Sequence, residues 1–274
     1  MVNYPQNSRA WQKESSNACC GRNRIVPGPL SPLNTEPFTL LESGDWRAVH
    51  KPSGILCHPT KPGGPPTLRD WSIGHFPGEL NACINRLDRE TSGIVLMART
   101  HEGASSLGKQ IMRRTVDKSY LALVHGCPPE EQTVDAPLAR LGDHGPSEIH
   151  LKQGVVEGGA PASTRFRRLE TRRHPLAGEI SLVACFPESG RLHQIRVHLA
   201  HVGHPVVGDK IYGPDPRAYL EFIETGWTPS LEARLFFPRH ALHASGISFT
   251  WGTERIHVED PLPGDLKAFW DLDP

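Results

Sequence analysis

Asp88 and Glu90 stand among Arg86 and Arg89 in the run Asn85-Arg86-Leu87-Asp88-Arg89-Glu90-Thr91-Ser92-Gly93, which leads directly into the apolar stretch Ile94-Val95-Leu96-Met97-Ala98. Carboxylates interleaved with guanidiniums, on a loop carried by a rigid strand, suit nucleophilic or base chemistry, since a neighbouring cation favours the ionised carboxylate. The same residues also describe a turn capped by Asp88 with its arginines in water, and residue type alone does not separate the two readings. A second dense run is Glu188-Ser189-Gly190-Arg191-Leu192-His193-Gln194-Ile195-Arg196-Val197-His198-Leu199-Ala200. At helical spacing Leu192, Ile195, Leu199 and Val202 share one face and Arg196 falls at its edge. A guanidinium at an apolar margin calls for an anionic partner because unpaired burial is costly, and a carboxylate such as Asp88 would serve. An arginine lying over core residues with its head in water is the other reading.

Two further patterns suggest chemistry more weakly. His193, His198, His201 and His204, followed by Asp209, are rich in ligand types, but no metal-binding spacing such as H-E-x-x-H connects them. Ser92 before Gly93 lacks the G-x-S-x-G elbow of a hydrolase, and Gly63-Gly64 lacks the lysine of a phosphate-binding loop. No metal site is expected.

Groups of this kind need elements to hold them. Trp46 to His50 reads as a strand entering the turn Lys51-Pro52-Ser53-Gly54, and Gly93 to Ala98 as a strand buried on both faces. Glu102 to Arg114 carries Ala104, Leu107 and Ile111 at helical spacing, with Thr100 available as N-cap. Strands are expected over 119–124, 164–169, 180–186, 243–249 and 254–258, with a helix from about Leu192 to Val202. This mixed order, without regular βαβ alternation, argues for an α+β fold with a largely antiparallel sheet.

Composition bounds the partners. Thirty basic and 30 acidic residues cancel in the 274-residue chain, so any contact with a polyanion must come from a local patch. The six cysteines (Cys19, Cys20, Cys57, Cys83, Cys127, Cys185) show no C-x-x-C pair and read as reduced thiols of a cytoplasmic protein. No stretch has the length of a membrane span or the apolar segment of a signal peptide, so a soluble protein without a membrane partner is expected. Residues 1–36 lack periodicity and are rich in Pro, Asn and Ser, which predicts a flexible or peripheral arm, with a single domain over 37–274.

Taken together, Asn85-Arg86-Leu87-Asp88-Arg89-Glu90-Thr91-Ser92-Gly93, Lys118-Ser119-Tyr120-Leu121-Ala122-Leu123-Val124 and Gly190-Arg191-Leu192-His193-Gln194-Ile195-Arg196-Val197-His198 resemble the three motifs of the RluA-type RNA pseudouridine synthases, in the same order. Lys51-Pro52-Ser53-Gly54 with His58, Gly203-His204-Pro205, Gly208-Asp209-Lys210-Ile211-Tyr212-Gly213 and Arg239-His240-Ala241-Leu242-His243-Ala244 match flanking landmarks, so the resemblance spans about residues 38 to 262. It implies the pseudouridine synthase fold, a long mixed and mostly antiparallel sheet flanked by helices and loops, with an active-site cleft across it. It also implies isomerisation of specific uridines to pseudouridine in structured ribosomal or transfer RNA, with the target base flipped out. Asp88 matches the catalytic aspartate, Tyr120 the residue that stacks on the base, Arg196 the cation paired with the aspartate, and Arg86 the side chain that fills the gap in the RNA helix. Arg89, Lys118, Arg191 and His193 lie in the same motifs and are expected to contact RNA. The chemistry requires neither metal nor organic cofactor, since the detached uracil stays in the site for reattachment, and no obligatory protein partner is implied.

The chain departs from that pattern at two places. Asn85 stands where the family usually has His, and residues 1–36 do not suffice for the N-terminal S4 RNA-binding domain of many relatives. RNA contacts are then expected from the catalytic domain, with Lys109, Arg113, Arg114 and Lys118, and the run Arg165, Arg167, Arg168, Arg172 and Arg173, as candidate patches. The rival reading is a catalytically inactive RNA-binding or RNA-folding module on the same fold.

Overall fold

The structure is a computed structural model that describes residues 36–215 and 217–272. The arm expected over 1–36 therefore lies outside the described residues except for Glu36, as do Cys19 and Cys20.

The chain opens with β1 (Phe38–Glu42) and β2 (Trp46–Lys51), then α1 (Leu68–His75), a short β3 (Ala82–Cys83), β4 (Ser92–Ala98), α2 (His101–Met112) and β5 (Asp117–His125). The middle holds β6 (Glu131–Asp135), β7 (Leu138–Arg140), β8 (Gln153–Val155), β9 (Ser163–His174), β10 (Gly178–Pro187) and α3 (Gln194–His201). It closes with α4 (Ala218–Thr225), α5 (Pro229–Leu235), β11 (Leu242–Trp251), β12 (Glu254–Glu259) and α6 (Gly264–Trp270). Ten strands form one sheet with the path β1-β2-β4-β11-β5-β10-β9-β6, while β12 pairs with β11 and β3 with β4. All its pairings are antiparallel except β4 with β11. This is the mixed, mostly antiparallel α+β sheet expected from the sequence.

Local chemistry explains the elements that the periodicity picks out. Every residue of β4 is buried, as its unbroken apolar run requires of a strand covered on both faces. Gly93 within it has φ 113°, and a Cβ there would stand 2.3 Å from the Ala244 carbonyl oxygen, so only glycine admits the close parallel approach of β11. Thr100 caps α2 by accepting from the Gly103 backbone at 3.1 Å, and Leu107 plugs the helix into a core with Trp46, Leu96 and Phe249. Burying such a leucine contributes roughly 1.5–3 kcal/mol, which exceeds what the helix gains from its cap. A second core joins Leu123, Val183 and Ile195 to Phe237 and Phe269, and a third sets Leu87 against Val49, Cys57, Leu68 and Val95.

The helix expected from Leu192 starts later. α3 begins at Gln194, preceded by His193 in the left-handed conformation at φ 57°, so Leu192 stands off the helix and is 40% exposed. The cause is the Gln194 side chain, whose oxygen accepts from the Ser189 hydroxyl at 2.6 Å and the Arg191 backbone at 3.1 Å, closing a turn ahead of the helix. Its amide donates to Ser163 O and Thr164 Oγ1, both at 2.9 Å, tying that turn to β9.

Candidate active site

Asp88 sits between buried Leu87 and the start of β4 on a loop that is held from three directions. Beneath it, the Asn85 side chain imitates a strand: its oxygen accepts from the Leu96 backbone at 2.7 Å and its amide donates to Ile94 O at 3.3 Å. To one side, Lys51 is fully buried and donates to the carbonyls of Pro52, Ile55 and Arg89 at 2.9, 3.0 and 3.2 Å, while Ser53 Oγ donates to Glu90 O at 2.8 Å. Burial without a carboxylate partner pushes the Lys51 amine down to about 8. On the far side Glu90 accepts from Lys210 Nζ at 2.7 Å and from the His240 backbone at 3.2 Å, and His240 Nε2 meets Thr91 Oγ1 at 2.7 Å. Burial, reinforced by nearby Arg196, Arg239, His193 and Lys210, drives His240 well below its ordinary pKa and keeps it neutral.

Arg196 projects from α3 to meet this loop. Nη1 donates to Asp88 Oδ2 at 2.9 Å, while Nε and Nη2 grip Asp209 Oδ2 and Oδ1 at 2.7 and 2.9 Å. Asp209 is itself fully buried and accepts from the backbone of Ile211 and Tyr212 at 2.9 and 3.0 Å. Burial alone would raise the Asp209 pKa, but Arg196 and these amides outweigh it and hold the carboxyl below its usual range. The Tyr212 ring stacks under the guanidinium at 5.1 Å, and its hydroxyl accepts from the Gln153 backbone at 2.9 Å and meets His193 Nδ1 at 2.8 Å. His193 Nε2 stands 3.8 Å from Asp88 Oδ2, yet burial and the adjacent Arg196 charge push its pKa down to about 4, leaving it neutral at pH 7. Among the described residues Asp88 Oδ1 has no hydrogen-bond partner.

One carboxylate oxygen is thus fixed and the other is left without a partner, and Asp88 lines a cleft of about 80 Å³ together with Tyr120, Thr91, Ser189, Ile195 and Arg196. Tyr120 reaches it from β5, on the same face as Ala122 and Val124, and burial with the neighbouring Asp88 charge raises its phenol pKa well above the ordinary value. Arg86 is exposed at the rim and Arg191 lines the same cleft, its Nε 3.4 Å from Pro161 O. Arg89 is exposed and donates to Gly54 O at 2.9 Å. Lys118 lies apart, with Arg114, Glu188 and Arg191 around a neighbouring hollow of about 300 Å³, its amine lowered by burial.

The structure therefore brings Asp88, Tyr120, Arg196, His193, Arg86 and Arg191 around one cleft and places Arg89 and Lys118 beside it. Sequence reasoning assigned no role to Asp209, Tyr212, Glu90 or Lys51, although each falls in a quoted landmark. The signal was present at Arg196, whose three donor nitrogens at a buried position need more than one carboxylate. The histidines are spent elsewhere: His198 bonds Thr164 Oγ1 and Ala136 O at 2.9 and 3.0 Å, and His204 bonds His125 O at 2.9 Å. Among the described residues no three His, Cys, Asp or Glu side chains are grouped to hold a metal. Ser92 does meet His243 at 3.0 Å, with Asp260 O behind at 3.0 Å, but all three residues are buried inside the sheet where no substrate reaches. Of the arginine run, Arg172 is engaged by Glu170 at 2.7 Å and by the Trp270 ring, whereas Arg165, Arg167 and Arg173 are exposed.

A mixed α+β sheet crossed by a cleft with a carboxylate pinned by a buried arginine defines an enzyme-like scaffold, and comparison places it. The RNA pseudouridylate synthase family profile matches residues 45–201. An uncharacterized RNA pseudouridine synthase of Chloroflexus aurantiacus is 41% identical over 227 residues, covering 80% of this chain and 63% of that protein. Ribosomal large subunit pseudouridine synthase D of Nitrosomonas europaea is 34% identical over 239 residues, 84% of this chain and 63% of that protein. The Xanthomonas campestris protein of the same name is 35% identical and is covered to 68%. Among solved structures, Human RNA Pseudouridylate Synthase Domain Containing 1 shares the fold at a TM-score of 0.64 and 24% identity, over 88% of this chain and 97% of that one. The chain belongs to the RNA pseudouridylate synthase family. It spans 63% of the length of the first two relatives.

Proposed function

We propose that the protein isomerises uridine to pseudouridine in RNA, with large-subunit ribosomal RNA as substrate. The observation that carries this reading is the split use of the Asp88 carboxylate, with Oδ2 held by Arg196 at 2.9 Å and Oδ1 unpartnered, on a residue that lines the same cleft as Tyr120. In the reaction the C1′–N1 bond breaks, the C1′–C5 bond forms, C5 gives up its proton and N1 gains one, so the product is an isomer and no co-reactant is needed. A uridine within a stem hides C1′ and must be extruded. Tyr120 stacks on the extruded base, Arg86 fills the place it leaves, and Oδ1 is the free oxygen that acts on the nucleoside. Arg89, Lys118 and Arg191 take phosphates. His193, being neutral, meets RNA by hydrogen bonding rather than charge. Residues 37–274 form the catalytic domain, acting in the cytoplasm. Among the described residues no helix is long and apolar enough to cross a membrane.

The ribosomal substrate follows from the names of the Nitrosomonas and Xanthomonas relatives. An inactive RNA-folding module has no need of a cleft-lining carboxylate with one oxygen pinned by a buried arginine and the other left unpartnered. Incubating the purified protein with total RNA and mapping pseudouridine should yield modification at a defined uridine of large-subunit rRNA. Asp88→Asn should bind the RNA equally, because affinity rests on phosphate contacts, and leave no product. Product formed by Asp88→Asn would remove Asp88 from the chemistry. Modification confined to transfer RNA would redirect the substrate.

A further inference from the structure

Asp88 also borders a second and larger pocket, of about 490 Å³, which Tyr120 does not line. Arg86, Leu87, Asp88, His193 and Arg196 line both hollows, so the Asp88 loop is the ridge between them. The far wall is supplied by α4, through Tyr219, Phe222 and Ile223. Leu192, displaced from α3 by the turn at His193, and Leu151 complete the rim. This pocket gathers apolar side chains that the fold leaves in water: Ile223 is 59% exposed, Leu192 40% and Leu151 36%. A cluster of that kind marks a binding surface. Its two carboxylates, Asp88 and Glu90, are paired with Arg196 and Lys210, which leaves two arginines over. Arg86 and Arg89 stand at the mouth, and among the described residues neither has a carboxylate partner. Lys210 in the floor is already neutralised by Glu90 at 2.7 Å, with its amine 4.5 Å from the centre of the Phe222 ring.

We propose that this second pocket receives an unstacked nucleotide adjacent to the target uridine, its base against Tyr219, Phe222 and Ile223 and its phosphate at Arg89, next to the Arg86 that fills the place of the extruded base. The proposal rests on the RNA-modifying reading of the cleft and extends it. A ribose presenting C1′ to Asp88 must sit on the shared ridge, with its base toward Tyr120. The strand leaving that ribose over Arg86 and Arg89 then enters the second pocket within one nucleotide. Aromatic and apolar walls accept any base by its face, while free guanidiniums at the entrance favour the phosphodiester over a peptide or lipid tail. Two opened nucleotides instead of one would make the enzyme selective for loops, bulges and strained stems, where unstacking costs least.

Isoleucines report on each region separately: Ile195 lines the cleft, Ile211 and Ile223 the second pocket, and Ile111 the hollow beside Lys118. The full chain, methyl-labelled at isoleucine, is titrated with pentauridylate and followed by NMR. The expected result is that Ile195, Ile211 and Ile223 shift with one midpoint. Ile223→Asp, a change at an exposed site that does not threaten folding, should weaken binding by roughly tenfold, the worth of about one stacked base, whereas Ile223→Val should not. If Ile195 shifts while Ile211 and Ile223 stay still, the second pocket is not an RNA site and the cleft reading stands. If none of them moves, the RNA reading falls with it. Unchanged affinity of Ile223→Asp also overturns the proposal.

Discussion

Arg196 uses the planar fork of its guanidinium in a way lysine could not: one edge closes on Asp209 and the remaining nitrogen is left for Asp88. The two carboxylates should therefore separate in their effects. Asp209 is fully buried and Asp88 keeps 22% of its side-chain surface, so Asp209→Asn should lower stability first and Asp88→Asn activity first. Arg196→Ala leaves a buried carboxylate unpaired and should cost roughly 3–5 kcal/mol in urea unfolding; an unchanged midpoint would show that the pair contributes nothing to folding. Tyr120 poses a different question. In our reading its ring holds the base and its hydroxyl, which no described residue hydrogen-bonds, relays the C5 proton. Tyr120→Phe should bind RNA like the wild type and turn over slowly. Tyr120→Ala should lose roughly 1–3 kcal/mol of binding energy. Full turnover by the phenylalanine variant would take the hydroxyl out of the reaction.

At the scale of elements, the catalytic loop behaves as a piece of sheet completed by side chains. Asn85 supplies to β4 the donor and acceptor that a neighbouring strand would give. Asn85→Ala orphans the Leu96 amide and should cost about 1–3 kcal/mol, with activity lost alongside as Asp88 drifts from Arg196. Thermal melting and a turnover assay check this together, and a wild-type melting temperature would contradict it. Such reach across the chain explains what the sequence disclosed and what it withheld. β4, β5, α2 and β11 were legible because an apolar period or a local cap defines each one, as Thr100 does for α2. The paired Asp88 and Arg196 were legible from residue type and motif. The start of α3 was not, because a side-chain turn made by Gln194 with Ser189 and Arg191 overrides the apolar period that would have included Leu192. Nor was the role of Asp209, whose contact with Arg196 depends on how the segment after α3 folds back. The edge strand β6, the short hairpin of β7 and β8, and α4 are defined by tertiary packing and carry little pattern of their own.

The whole molecule stores an acid sensitivity in its buried imidazoles. His193 and His243 are both pushed down to about 4, mainly by burial, against an ordinary value near 6.5. Between those values the unfolded chain binds a proton that the folded one refuses, so their contribution is complete above pH 6.5, declines as pH falls below 6.5 and is gone by about pH 4. Each should cost on the order of 2 kcal/mol of stability by pH 5, and His240 acts in the same direction. The urea midpoint should drop steadily from pH 7 to pH 5; a flat profile would mean that these rings are already protonated in the fold. A second property of the whole concerns time. β11 lies between β4 and β5, parallel to one and antiparallel to the other, and residues 239 and 240 bond the Asp88 loop from behind. A nascent chain emerging from the ribosome consequently carries both halves of its reactive centre long before it can assemble them. Until residue 251 is free, β4 and β5 are two unpaired edges looking for a partner. A ribosome stalled inside α5 would hold a chain that is inert toward its substrate and prone to aggregate with its neighbours.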